Sequence, residues 1–128
     1  MREIKFRAWD KLDGKMYHTV ETIDFKDGVD MRDDKGKGCF RMFENVDLMQ
    51  YTGLKDKNGK EIYERDIVDW SPVGLGVVRW IACGFAHDQE KQRSPIGVNH
   101  LHPNYSKEYE VIGNIYENPN LLPIQPKK

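Results

Sequence analysis

The chain has little of several things that would narrow its class at once. Two cysteines, Cys39 and Cys83, in 128 residues are too few for a disulfide framework. No apolar run approaches the ~20 residues that cross a bilayer, and Met1 to Arg7 holds four charges and no apolar stretch of the kind a secretion signal needs. The expected setting is therefore the cytoplasm, with no membrane partner. An excess of either charge is missing as well: 20 Lys and Arg face 21 Asp and Glu, for a formal charge of -1. That removes any general pull toward nucleic acid or anionic lipid and leaves only a local patch. Helical periodicity, internal repeats and the commonest catalytic motifs (Gly-x-Ser-x-Gly, a phosphate-cradling Gly-rich loop, His-Glu-x-x-His) are also missing.

What the chain does have is a period of two. Ile4, Phe6 and Ala8 alternate with Lys5, Arg7 and Trp9, as in a half-buried strand. Asp13-Gly14 and Asp27-Gly28 are turn signals, and between them lie β-branched Thr19, Val20, Thr22 and Ile23. Residues 1–45 thus read as an N-terminal β-meander. From Val46 the alternation strengthens, and Asn58-Gly59 predicts a type I′ hairpin with φ > 0 at both residues. Asp66-Ile67-Val68-Asp69-Trp70, a Gly-rich reversal and Val77-Val78-Arg79-Trp80 read as strands of a small SH3-type barrel over 46–119. In that reading Ile67, Val68, Val77, Val78, Ile112 and Ile115 form the wall, alternating between core and outer face. Residues 86–104, polar and holding Pro95, Pro103 and three of the four histidines, are expected to be a loop insertion. Residues 120–128 read as an extended tail, with Leu121, Leu122 and Ile124 as an arm. A short helix fits near 106–111. The predicted fold class is mostly β, with little helix.

Three longer stretches carry a resemblance. They are Met1 to Asp10, Leu48-Met-Gln-Tyr-Thr-Gly-Leu-Lys-Asp-Lys-Asn-Gly-Lys-Glu-Ile-Tyr-Glu64 running into Asp66-Ile67-Val68, and Val111-Ile-Gly-Asn-Ile-Tyr-Glu-Asn-Pro119. Together they closely resemble the YopX family of phage and prophage proteins. The resemblance implies a mostly β protein with a C-terminal SH3-type barrel, encoded by a bacteriophage or an integrated prophage; it implies no activity and carries over no site residue. The family usually reads Glu-Gly-Asp where this chain has Glu64-Arg65-Asp66. Arginine tolerates φ > 0 poorly, so the backbone here is either ordinary or mildly strained.

Three sharper readings compete. Cys83, His87, His100 and His102 offer thiolate and imidazole ligands of the kind that suit zinc, although their spacing matches no common zinc motif and loop histidines are ordinarily exposed. Arg7, Trp9, Arg65, Trp70, Arg79 and Trp80 interleave cations with aromatics on which bases stack, although strand aromatics are more often core. Glu64, Asp66 and Asp69 cluster, but alternation puts Asp66 and Asp69 on opposite faces of a strand, which spoils a shared acid–base site. No cofactor is expected. The reading that remains is a non-catalytic β module that self-associates, as a homo-oligomer, or binds another protein, through the arm or an open edge at the N-terminal strand carrying Ile4 and Phe6. Nucleic-acid binding is the alternative.

Overall fold

The structure, a computed structural model, describes residues 3–71, 73–89 and 99–123. The chain is mostly β: the described residues form twelve strands, with short 3-10 helices at Phe43–Asn45, Pro103–Glu108 and Pro119–Leu121. Two compact units divide it, Met1–Tyr51 and Thr52–Lys128. The division lies inside strand β6 (Val46–Lys55) and not ahead of it.

In the first unit β1 (Phe6–Asp10) lies between β2 (Lys15–Tyr17) and β6. A separate three-stranded antiparallel sheet follows, ordered β3 (Thr19–Asp24), β4 (Gly28–Arg32), β5 (Gly38–Met42). Ala8, Tyr17 and Val46 from one sheet and Val29 and Met31 from the other make a single core. Paired on both sides, β1 is a central strand and not an edge. Its alternation is therefore overridden, and Arg7 is buried along with Ala8. Arg7 donates from Nε to Met49 Sδ at 3.3 Å.

The second unit is built on a five-stranded antiparallel sheet, and the curled sheets of the chain include a half-barrel. Its order is β11 (Asn99–His100), β10 (Gly84–Asp88), β9 (Gly74–Ile81), β8 (Asp66–Trp70), β12 (Tyr109–Asn114). Of the expected loop over 86–104, Ala86, His87 and Asp88 pair with β9 and His100 pairs with Ala86, and 90–98 lie outside the described residues. The expected helix near 106–111 is the 3-10 turn Pro103–Glu108, and Tyr109 already belongs to β12.

Both faces of this sheet are covered. Val68, Val78 and Tyr109 pack with Ile62 on one face; Ile67 and Val77 meet Leu75, Ile115, Leu121 and Leu122 on the other. This corrects two expectations. The Ile/Val pairs do not alternate between core and outer face, since Ile67, Val68, Val77 and Val78 are all fully buried. Leu121 and Leu122 do not leave as an arm either: apolar burial holds them on their own unit, and Ile124 lies outside the described residues. Ile112 departs from the wall because a bulge between Val111 and Gly113 turns it outward.

The turns also differ from the expected chemistry. At Asp56 to Lys60 the Gly59 amide bonds Asp56 O at 3.0 Å and the Asp56 amide bonds Lys60 O at 2.8 Å. Only Gly59 of the central pair has positive φ, so the hairpin is a three-residue turn of the type I plus bulge kind. Asp56 Oδ1 accepts from the Asn58 and Lys60 amides, which makes the first half of that turn cheap. The true two-residue hairpin is Ala82-Cys83, with φ +52 and +63, between the paired Ile81 and Gly84. Cys83 is therefore at an exposed hairpin tip and not inside an apolar strand. Arg65 takes φ +69, so of the two alternatives for the Glu64-Arg65-Asp66 turn the strained one holds.

Candidate functional site

The surface that stands out is the outer edge of the three-stranded sheet. Along β5 the side chains alternate: Cys39 and Arg41 turn toward the unit's own interior, while Gly38, Phe40 and Met42 face out. Phe40 is 46% exposed and Met42 51%. Arg41 anchors the strand from behind. Its Nε donates to Asp10 Oδ1 at 2.8 Å and its Nη2 to Asp13 Oδ2 at 3.1 Å. Burial pushes the Asp10 carboxyl up, but the Arg41 hydrogen bond and the amides of Leu12 and Asp13 outweigh it and hold the carboxyl below its ordinary value.

The direction of the β5 backbone can be read from two contacts. A Cβ on Gly28 of β4 would meet Arg41 O at 2.1 Å, so that carbonyl points at β4. Peptide groups alternate along a strand, which turns the Phe40 N–H and C=O to the open side. Consistently, Arg41 Nη1 reaches round to Phe40 O at 3.1 Å. The sheet's order leaves β5 at its edge. Beside it, Glu21, Asp30, Arg32, Gly38 and Phe40 help line a cavity of about 330 Å³.

A second cluster lies in the other unit. Trp70 makes edge contacts with His87 at 5.5 Å and Tyr109 at 5.3 Å between ring centroids, and a tilted one with Tyr105 at 5.6 Å. Its indole Nε1 donates to Glu108 Oε1 at 3.3 Å. His87 is buried, donating from Nε2 to Val68 O at 3.0 Å. Glycine is required at position 76, since a Cβ there would lie 2.7 Å from that ring. Burial depresses the His87 pKa, against the opposing pull of the Val68 carbonyl, so the ring is held neutral.

The zinc candidates are not brought together as a metal centre. Cys83 sits at its hairpin tip, His87 is buried against Val68, His100 Nε2 bonds Ile81 O at 2.7 Å, and His102 Nδ1 accepts from the Asn104 amide at 3.0 Å. Among the described residues no group of three His, Cys, Asp or Glu is placed to hold a metal ion. The base-stacking candidates are divided between the units. Arg7 is buried, Trp9 belongs to the central strand β1, and Arg65 is at the β7–β8 turn, where β7 is Glu61–Tyr63. Arg79 pairs with Asp88 at 3.3 Å, Trp70 is half-buried in its cluster, and Trp80, 56% exposed, stacks edge-on against Phe85. Of the acidic cluster, Asp66 is buried and accepts from the Tyr63 amide at 2.8 Å. Strand β5 itself carries no signal that the sequence reading used, although Gly38-Cys-Phe-Arg-Met42 does alternate.

These features define a two-unit, antiparallel β protein. The YopX protein family matches residues 5–123, and the chain belongs to that family. It is similar to the crystal structure of a protein from Enterococcus faecalis, at 27% identity and a TM-score of 0.65, over 96% of this chain and 100% of that one. It is also similar to the crystal structure of the YopX protein from Bacillus subtilis, at 24% identity and a TM-score of 0.59, over 100% of both chains, a likeness of fold. Comparison with curated proteins finds no match.

Proposed function

We propose that this chain is a non-catalytic binding module, encoded by a bacteriophage or prophage and working in the host cytoplasm, that self-associates or takes a protein partner onto its sheet. The observation that carries this reading is β5, a sheet edge whose outward amide groups are flanked by exposed Phe40 and Met42. Acid–base chemistry is disfavoured by the engagement of its best groups: His87 is shielded and Asp66 is spent on a backbone amide. In the second unit the last strand returns beside the first of a meander, which suits an SH3-type barrel as the supporting scaffold.

The second reading, nucleic-acid binding, is favoured by exposed Trp80 beside Phe85 and opposed by the burial of Arg7 and the Arg79–Asp88 pair. Purified protein separates the two. A scattering mass above 15.0 kDa, or a stoichiometric host protein, lost on Met42→Lys supports the edge reading. A retained oligonucleotide, lost on Trp80→Ala and kept by Met42→Lys, refutes it.

A further inference from the structure

Resting on that reading, the geometry points to a second copy of this chain as the occupant of the β5 edge: two β5 strands pair antiparallel about a two-fold axis at Phe40, joining two three-stranded sheets into one of six strands.

Four observations support this choice of partner and register. First, the N–H and C=O of Phe40 face the open side, so centring on Phe40 lets the two copies exchange both of these groups as a hydrogen-bonded pair. The Phe40 carbonyl keeps its Arg41 contact and exchanges the long 3.9 Å contact from Cys39 Sγ for the new bond. Second, Phe40 is the midpoint of Gly38–Met42, so this register alone uses the whole strand. Third, the opposed side chains suit one another. Phe40 meets its own counterpart, Met42 crosses over Gly38 where no side chain competes, and Cys39 meets Arg41 on the inner face. No like charges are opposed. Fourth, the sheet's other edge is protected in ways that β5 is not. Strand β3 is bulged between Val20 and Thr22, and centring it on Glu21 would set two carboxylates face to face. The outward face of β5 has neither bulge nor charge, nor proline.

One strand pair is small beside the ~1,200 Å² of a stable complex, so the association is expected to depend on concentration. A register that opposes residue 40 to itself makes a direct test possible, because a single charge there repels its own copy and attracts the opposite charge. In scattering from micromolar to millimolar concentration, the parent should reach twice 15.0 kDa. Phe40→Lys and Phe40→Glu should each stay at the monomer mass, and their equimolar mixture should regain the doubled mass. Amide exchange of the parent gives an independent readout: protection of the Phe40 amide should rise with concentration, while Cys39 and Arg41, bonded to β4, do not change. A doubled mass that survives Phe40→Lys, a mixture that stays monomeric, or a concentration-independent Phe40 amide overturns the register and leaves the wider association reading standing. A parent that is monomeric throughout and retains no protein partner overturns both.

Discussion

The Ala82-Cys83 hairpin allows backbone strain to be measured with almost no packing in the way. Both residues are exposed and both sit in the left-handed region, at φ +52 and +63. An L-residue held there costs about 1–2 kcal/mol relative to its usual basin. Glycine removes that strain but loses roughly 0.5–1 kcal/mol more backbone entropy on folding. Cys83→Gly should therefore gain about 0.5–1 kcal/mol. Ala82→Asn with Cys83→Gly, which installs the Asn-Gly pair favoured in such turns, should gain about 1–2 kcal/mol. Gains of that size move the thermal midpoint by about 2–7 °C for a chain of this length. In urea it appears as a higher midpoint at unchanged slope, since neither substitution alters the area buried. Gly59 supplies the mirror experiment. It has φ +80 and open space where a Cβ would go, so Gly59→Ala adds the same strain and should cost about 1 kcal/mol. A Cys83→Gly midpoint at or below the parent, with Gly59→Ala neutral, would refute the left-handed assignment of both turns.

Other consequences are open to the same melts. Because both faces of the second unit's sheet are covered, Ile67→Ala and Val68→Ala should each destabilise, by about 2–4 and about 2 kcal/mol; a neutral result at Ile67 would mean that the segment carrying Leu121 and Leu122 does not cover it. Arg65→Gly, at φ +69, should stabilise by about 0.5–1 kcal/mol, and a midpoint that does not move would show the position unstrained. His87, its folded pKa lowered by burial, stays neutral where the unfolded chain takes up a proton. Its contribution is complete above pH ~6.5 and is lost as pH falls toward the folded pKa, by at most about 1.4 kcal/mol per pH unit, and His87→Leu should flatten that slope. Asp10 acts in a lower window: its folded pKa is depressed, so its stabilisation holds above the ordinary carboxylate range and is lost on acidification through the folded value, a loss that should be missing in Asp10→Asn.

The parts of the fold that were legible in sequence are those where one local rule decides. Period two gave the β class, and the runs around Val68 and Val78 gave the central strands of the second unit. Reading failed where tertiary context overrode the local rule. Arg7 alternates with Phe6 and Ala8 as an outward residue should, yet β6 on one side and β2 on the other put its strand in the middle of a sheet. A strand's own alternation cannot tell one covered face from two, so Ile67-Val68 and Val77-Val78 read as alternating between core and outer face, whereas Leu121 and Leu122 cover the second face as well. Turn chemistry misled in both directions. Asn58-Gly59, the strongest two-residue signal, became a longer turn because the Asp56 carboxylate caps its amides. Ala82-Cys83, with no signal, became the tight one because Ile81 and Gly84 pair on either side of it.

The candidate site was the least legible feature, and the reason is physical. Which side of a strand lacks a neighbour is a property of the sheet and not of the strand, so a sequence reading could only guess at open edges, and it placed one at β1. The histidines and tryptophans drew attention because their chemistry is conspicuous, but the fold uses that chemistry internally: the His87 ring ties β10 to the Val68 carbonyl, and Arg79 neutralises Asp88. At Gly38-Cys-Phe-Arg-Met42 the informative signal is the absence of the usual edge defences from the outward positions. Sequences that must keep an edge solitary place lysine, proline or a bulge there. Strand β3 has its bulge, and its Glu21 pairs with Arg32, whereas the outward positions of β5 are glycine, phenylalanine and methionine. Arg41, the strand's one cation, is turned inward and held by Asp10 and Asp13, which takes away the charge best placed to guard the edge. An edge left unguarded by its own charge, with its amides and apolar side chains facing out together, is built to be covered.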